Sequence, residues 1–203
     1  MKALSGWGRR PVVPAQERLA EDLEACSADV SLTRGLGRSY GDASLPARDG
    51  AVVMGSRLAD RILRLDPERE VLRAEAGLSL AHLNRLLAPQ GLATPVSPGT
   101  QYVTLGGMVA SDVHGKNHHV AGCFGEHVRG LRIRVADGRV LEISNDVEPE
   151  LFHATLGGMG LTGHLLEVEF ALERTPSAWI WQQSRRVADL DELVEALRAA
   201  SAR

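Results

Sequence analysis

The stretch TRGLGRSYGDASLP, residues 33–46, carries three glycines, two arginines, two serines and a tyrosine, with almost nothing apolar to bury. It suits neither a core strand nor an amphipathic helix. Successive backbone N–H groups in a glycine turn can form an anion-binding nest, to which Arg38 and Ser39 would add charge and a donor. A dinucleotide fingerprint needs GxGxxG with a helix directly behind it, because the diphosphate sits at that helix's N-terminus. Here the spacing is GxGxxxG and the sequence continues DASLPARDG, which is loop material. No GxxxxGK[ST] occurs anywhere, so a phosphate loop of that kind is excluded. Two readings remain for the stretch: an anion cradle without a helix, or a purely structural multi-turn loop.

Around this loop the pattern is mixed. Upstream, Leu19, Leu23 and Cys26 recur at helical spacing in AQERLAEDLEAC and predict a short helix, and ADVSLTRG predicts a strand running into the glycines. Downstream, AVVMGS, RILRLDPE and EVLRAEAG read as neighbouring strands. LSLAHLNRLLAPQGL predicts a helix with Leu80, Leu83 and Leu87 on one face, Ser79 as cap and Gly91 beyond its end. Residues 94–125 are irregular apart from a short helix near 105–111. Alternating residues on both sides of Asp137-Gly138 predict a hairpin, EPELFHATLG a short helix, and HLLEVEFALE a strand. Leu190, Leu193, Val194 and Leu197 give the last helix an apolar stripe. Without strict strand–helix alternation, the expected class is α+β.

With 203 residues the chain can bury roughly 70% of its unfolded surface. A net charge of −3 gives no electrostatic reason to expect nucleic acid. No run resembles a signal peptide or a transmembrane segment, so the expected location is cytoplasmic. Cys26 and Cys123 lie in no CxxC pair and read as free thiols. The 21 glycines exceed the usual ~7% and gather in RGLGRSYGD, SPGTQYVTLGGM and LGGMGLTGH, where main chain can approach a ligand closely.

The segment VHGKNHHVAGCFGEH places His114, His118, His119 and His127 close together and raises a histidine-rich metal site as an alternative function. Spacing opposes it. His114 and His118 share a face only on a regular helix, which Gly115 and Asn117 disfavour, and only Asp112 and Glu126 could complete a ligand set. Lys116 would repel a cation and suit an anion, so no metal is expected.

Taken in order, RGLGRSYGD, PGT, TLGGMVASDVHGKNHH, FGEHV and GLTG resemble the flavin oxidases typified by vanillyl-alcohol oxidase, with PCMH-type FAD-binding domains, and especially their sugar-oxidising members. The likeness begins with LSGWGR at the N-terminus and runs to about Pro176. It implies a PCMH-type FAD-binding domain of two α+β lobes over residues 1–176, without the substrate (cap) domain. Residues 177–203 would be the start of a truncated substrate domain or a terminal strand and helix. In that likeness Arg34, Gly35, Leu36, Gly37, Arg38, Ser39 and Tyr40 wrap the FAD diphosphate. Pro98, Gly99, Thr100, Val103, Gly106, Gly107, Ala110, Ser111, Val113 and His114 follow the phosphates toward the flavin. Gly115, Asn117, Gly122 and Gly163 add backbone contacts, and His114 and Lys116 are the catalytic candidates at the ring's edge.

The resemblance further implies hydride transfer from a secondary CH–OH carbon of a sugar or polyol to flavin N5. It implies FAD held non-covalently, because many members attach the ring through a His in the loop position filled here by Arg38, whose guanidinium stays protonated. Family members continue past this length into a substrate domain and then return to complete the FAD domain. The alternative expectation is therefore a flavin-binding fragment without turnover, or one subunit of a split oxidase working with a separate substrate-domain chain or as a homodimer.

Overall fold

Residues 1–55 form short strands around one short helix, and the strands are set by pairing between distant segments instead of by a local period. In the structure, a computed structural model that describes residues 1–201, β1 (Lys2–Ser5) and β2 (Val12–Leu19) pair antiparallel. α1 (Leu23–Cys26) then leads to the two-residue β3 (Thr33–Arg34), which pairs parallel with β4 (Val52–Gly55), itself parallel to β2. The sheet order is β1-β2-β4-β3. The helix expected from AQERLAEDLEAC is thus corrected. Ala15 is fully buried in a small core with Leu4, Leu45 and Val53, the segment pairs with strands on both sides, and Leu19 is 41% exposed. Helix begins only after Asp22, whose carboxylate accepts from the Ala25 N–H at 3.0 Å. The strand expected over ADVSLTRG shrinks to β3.

The remaining strands build a second sheet. β5 (Ile62–Asp66) and β6 (Val71–Glu75) pair antiparallel and lead to α2 (Leu80–Leu87), β7 (Leu92–Ala93), α3 (Leu105–Ala110) and α4 (His118–Ala121). β8 (Val128–Arg134) and β9 (Val140–Ile143) form the hairpin expected around Asp137-Gly138, and α5 (Pro149–Thr155) precedes β10 (His164–Ala171). The order is β5-β6-β10-β8-β9, with β10 antiparallel to both β6 and β8. β11 (Glu173–Arg174) pairs with β7. As expected, Ser79 Oγ caps α2 by accepting from His82 N–H at 3.2 Å, and Leu80, Leu83 and Leu87 are buried.

Strand alternation separates the two faces of this sheet. Leu72, Val168, Phe170, Leu131 and Ile133 point into the larger core with Leu83, Leu105 and Met108, each such burial contributing roughly 1.5–3 kcal/mol. The opposite face carries a cross-strand charge ladder: Arg73 meets Glu167 at 2.6 Å and Glu142 at 2.8 Å, and Arg132 meets Glu167 at 3.1 Å. Two lobes result, each with its own sheet and core, which is the α+β architecture expected. They are joined where Thr33 Oγ1 lies 2.6 Å from His164 Nδ1, and where Arg134 donates to Glu24 O at 2.7 Å and Ser27 Oγ at 3.0 Å.

Beyond β11, residues 175–189 form neither helix nor strand. α6 (Leu190–Ser201) follows with its expected apolar stripe, but Leu190, Leu193 and Val194 stay outside both cores. Residues 202 and 203, the end of the expected segment 177–203, lie outside the described residues.

Candidate functional site

The glycine loop leaves the small lobe at β3 and turns toward the large lobe at α3. Arg34 fixes its start. With 8% of its surface exposed, Arg34 directs Nη1 to Ser44 O and Ser44 Oγ, both at 3.0 Å, and Nη2 to Ser5 O. Burial draws its guanidinium below the usual range, with Glu17 opposing the shift and Arg38 adding to it. Gly37 has φ +68, and a Cβ there would run into the Arg34 guanidinium, so the site requires glycine for both conformation and space. Tyr40 projects into solvent, and Arg38 donates to Leu36 O at 2.7 Å while lying 5.8 Å from the Trp7 ring.

The loop's backbone donors are its chemical content. Among the described residues, the N–H groups of residues 36–40 donate to no protein acceptor. Successive donors held in a turn favour anions. α3 differs: its first N–H groups are taken by Leu78 O at 2.9 Å, Ala76 O at 2.8 Å and Thr104 Oγ1 at 3.2 Å. A short glycine-rich helix near the loop therefore supplies close packing, not anion contacts, and the donors reside in the loop.

Two cavities flank this loop. The larger, about 420 Å³, is walled by β1 and by Gly35, Leu36, Gly37 and Arg38. It presents Lys2, Arg9, Arg34, Arg38 and Arg57 against one carboxylate, Glu17, which is paired with Lys2. The smaller, about 90 Å³, lies between the lobes and gathers Arg34, Gly35, Ser39, Gly106, Gly107, Ala110, Ser111 and Gly163, together with Met159 and Gly160 of the GLTG region. Uncommitted N–H donors beside a cationic cavity suit an anion such as a diphosphate.

The other expected residues sit elsewhere. Pro98, Gly99, Thr100, His114, Gly115, Lys116, Asn117 and Gly122 line neither cavity. Thr100 Oγ1 accepts from Tyr102 N–H at 3.2 Å within a turn suspended from α2, where Val103 O and Gln101 O accept from Leu80 and Ala81 N–H at 2.9 Å. Val103 and Val113 are half-buried against the larger core. Asn117 Nδ2 donates to Pro95 O at 3.0 Å, pinning the segment that presents His114 and Lys116, both exposed. Lys116 has no hydrogen-bond or ion-pair partner among the described residues.

The spacing argument about the histidines needs correcting. α4 begins just past Asn117, and the His114 and His118 ring centroids lie 5.5 Å apart across the break. Among the described residues no group of three or more His, Cys, Asp or Glu is placed to hold a metal ion. Cys26 and Cys123 are free.

Sequence reasoning missed the N-terminal wall formed by Ser5, Gly6 and Trp7, and it missed Thr104. That threonine is buried, caps α3 and abuts the Gly35 backbone. The signal for the wall was present in LSGWGR, whose Gly6 permits close backbone approach.

Residues 16–144 match the family model described as an FAD binding domain. The chain is 36% identical over 95% of its length to decaprenylphosphoryl-beta-D-ribose oxidase of Mycolicibacterium smegmatis, covering 44% of that protein. It is 30% identical over 75% of its length to L-gulonolactone oxidase of Scyliorhinus torazame, covering 34% of it. A solved alkyldihydroxyacetonephosphate synthase superimposes with a TM-score of 0.68 at 21% identity, over 78% of this chain and 31% of that one, which shows a shared fold. The chain therefore spans less than half the length of these relatives. It belongs to the FAD-binding oxidoreductase family and has the PCMH-type fold.

Proposed function

We propose, with that membership as the premise, that the chain binds FAD non-covalently and serves oxidation of a sugar or polyol. The carrying observation is the run of uncommitted N–H donors at residues 36–40. Arg34, Gly35, Leu36, Gly37, Arg38, Ser39 and Tyr40 form the diphosphate loop. Gly106, Gly107, Ala110, Ser111 and Gly163 bring main chain close to the cofactor in the inter-lobe cleft. The chemistry supplied with FAD bound is hydride acceptance at flavin N5 from a secondary CH–OH carbon. Exposed Lys116 provides positive charge at the ring's edge, and His114 orients the ring or the substrate. Pro98, Gly99, Thr100, Val103, Val113, Gly115, Asn117 and Gly122 shape the path between loop and ring.

Titration of the purified chain with FAD, followed by gel filtration and acid precipitation, tests this reading. A flavin absorption band should travel with the protein and pass into the supernatant on acidification. Colour kept in the pellet would establish covalent attachment, and no co-elution at any FAD concentration would remove the binding assignment.

A second reading is favoured by the chain's matching only 44% and 34% of the two oxidases. In it these residues bind flavin, and turnover needs a substrate-binding region beyond them. Assays with an artificial electron acceptor and a panel of furanosides and sugar lactones separate the two. Turnover by this chain alone supports the first reading, and turnover only on adding a substrate domain supports the second.

A further inference from the structure

We propose that Ser5, Gly6 and Trp7, acting with Arg34, form a clamp that holds the loop of residues 36–40 in its donor-presenting shape before any ligand arrives. The inference rests on the reading of that loop as the cofactor's diphosphate cradle, and adds a positioning element outside the residues 16–144 that match the family model.

The clamp acts at three points. Arg34 binds Ser5 O at the end of β1 and Ser44 at the far end of the glycine loop, so one buried guanidinium ties both flanks together. Gly37 lies directly on that guanidinium. The Trp7 N–H donates to Ser39 O at 2.9 Å, and Gly6 sits so close that a Cβ would come within 2.7 Å of Ser39 O and 2.8 Å of Gly41 O. The Arg38 side chain closes over the Trp7 ring from outside. The Ser39 carbonyl thus faces the N-terminal segment, while the N–H groups of residues 36–40 remain uncommitted.

The physical consequence is preorganisation. A glycine-rich loop without such contacts would sample many conformations, and a ligand would have to order it on binding. Arg34 is on this account a positioning residue: it acts through the loop, and its charge is held internally.

Gly6→Val tests the clamp by pushing on Ser39 O and Gly41 O from outside, with Arg34 and every loop residue left unsubstituted. The full chain should show faster hydrogen exchange at the Trp7 amide in the absence of FAD, and a Kd for FAD raised about tenfold by the restored ordering cost. Should the valine prevent folding, Ser44→Ala removes one acceptor of Arg34 without adding bulk and should raise Kd about threefold. Arg34→Lys keeps the charge but cannot span both flanks, and should release the Trp7 amide as Gly6→Val does. Released exchange with unchanged FAD affinity overturns the clamp, as does unchanged exchange in Gly6→Val. Loss of affinity in Arg34→Lys with Trp7 still protected would make Arg34 a direct phosphate ligand, which also overturns it. If the unmodified chain bound no FAD, the cradle reading would fail, and the exchange contrast would still report separately whether the clamp exists.

Discussion

Gly37 shows how much a single position can carry. Its φ of +68 and its seat against the Arg34 guanidinium leave no room for a side chain, and a β-branched residue forced into that conformation costs about 1–3 kcal/mol before any clash. Gly37→Val should therefore weaken FAD binding far more than Ser39→Ala, which removes one donor worth roughly 0.5–1.5 kcal/mol. Fluorescence titration of both variants checks the ranking, and equal affinities would mean that the loop backbone does not face the cofactor. His164 supplies a pH effect. Burial lowers its pKa, a hydrogen bond to the Val30 backbone opposes that, and Arg134 lowers it further. A histidine whose folded value is depressed leaves stability intact above its unfolded value of about 6.5 and withdraws it as pH falls through the folded value, because protons then favour the unfolded chain. Urea melts between about pH 7 and pH 5 should show declining stability, with a shallower decline in His164→Gln. An identical slope in the variant would show that the Thr33–His164 contact between the lobes does not sense pH.

At the scale of elements, Thr104 joins the two lobes' machinery to a helix start. Its hydroxyl caps α3 through Gly107 N–H, and its side chain abuts Gly35 at the beginning of the loop. Thr104→Ala should cost about 1–2 kcal/mol in urea unfolding, the usual size of a lost N-cap; a change indistinguishable from zero would mean that α3 is held by the core alone. The elements legible in the sequence were those with strong local signals: α2 with Ser79 and its leucines, the Asp137-Gly138 hairpin, and β10 with its alternation. The failure over residues 15–26 has a definite cause. Leu19, Leu23 and Cys26 fit a helical period by coincidence, whereas the pairing of β2 with β1 and β4 that overrides it is non-local. The site divided along the same line. The glycines of residues 35–41 mark the proposed cofactor loop locally, but Ser5, Gly6 and Trp7 join it only through tertiary contact, and the meeting of the His114 and His118 rings depends on a break that spacing rules treat as separating them.

For the molecule as a whole, the two lobes are well closed and the C-terminal segment is not. No helix among the described residues is long and apolar enough to cross a membrane. Trp179, Ile180 and Trp181 are 89%, 92% and 83% exposed, and Leu190 on α6 is 71% exposed. From Ser177 to Leu193 the hydrogen bonds among the described residues are local, such as Arg185 and Ala188 to the Glu192 carboxylate and Asp189 accepting from Glu192 N–H. Exposed apolar side chains of this kind promote association, since burying an aromatic side chain contributes roughly 1.5–3 kcal/mol. The chain should self-associate as its concentration rises, and the triple change Trp179→Ser, Ile180→Ser and Trp181→Ser should return it to a monomer while leaving FAD affinity unchanged. The last condition follows from placement: none of the three lines either cavity beside the glycine loop. Sedimentation velocity over a concentration series, with FAD titration of the same samples, measures both quantities. A parent chain that stays monomeric throughout would show that these residues do not drive association, and a fall in FAD affinity in the triple variant would place the segment against the cofactor site.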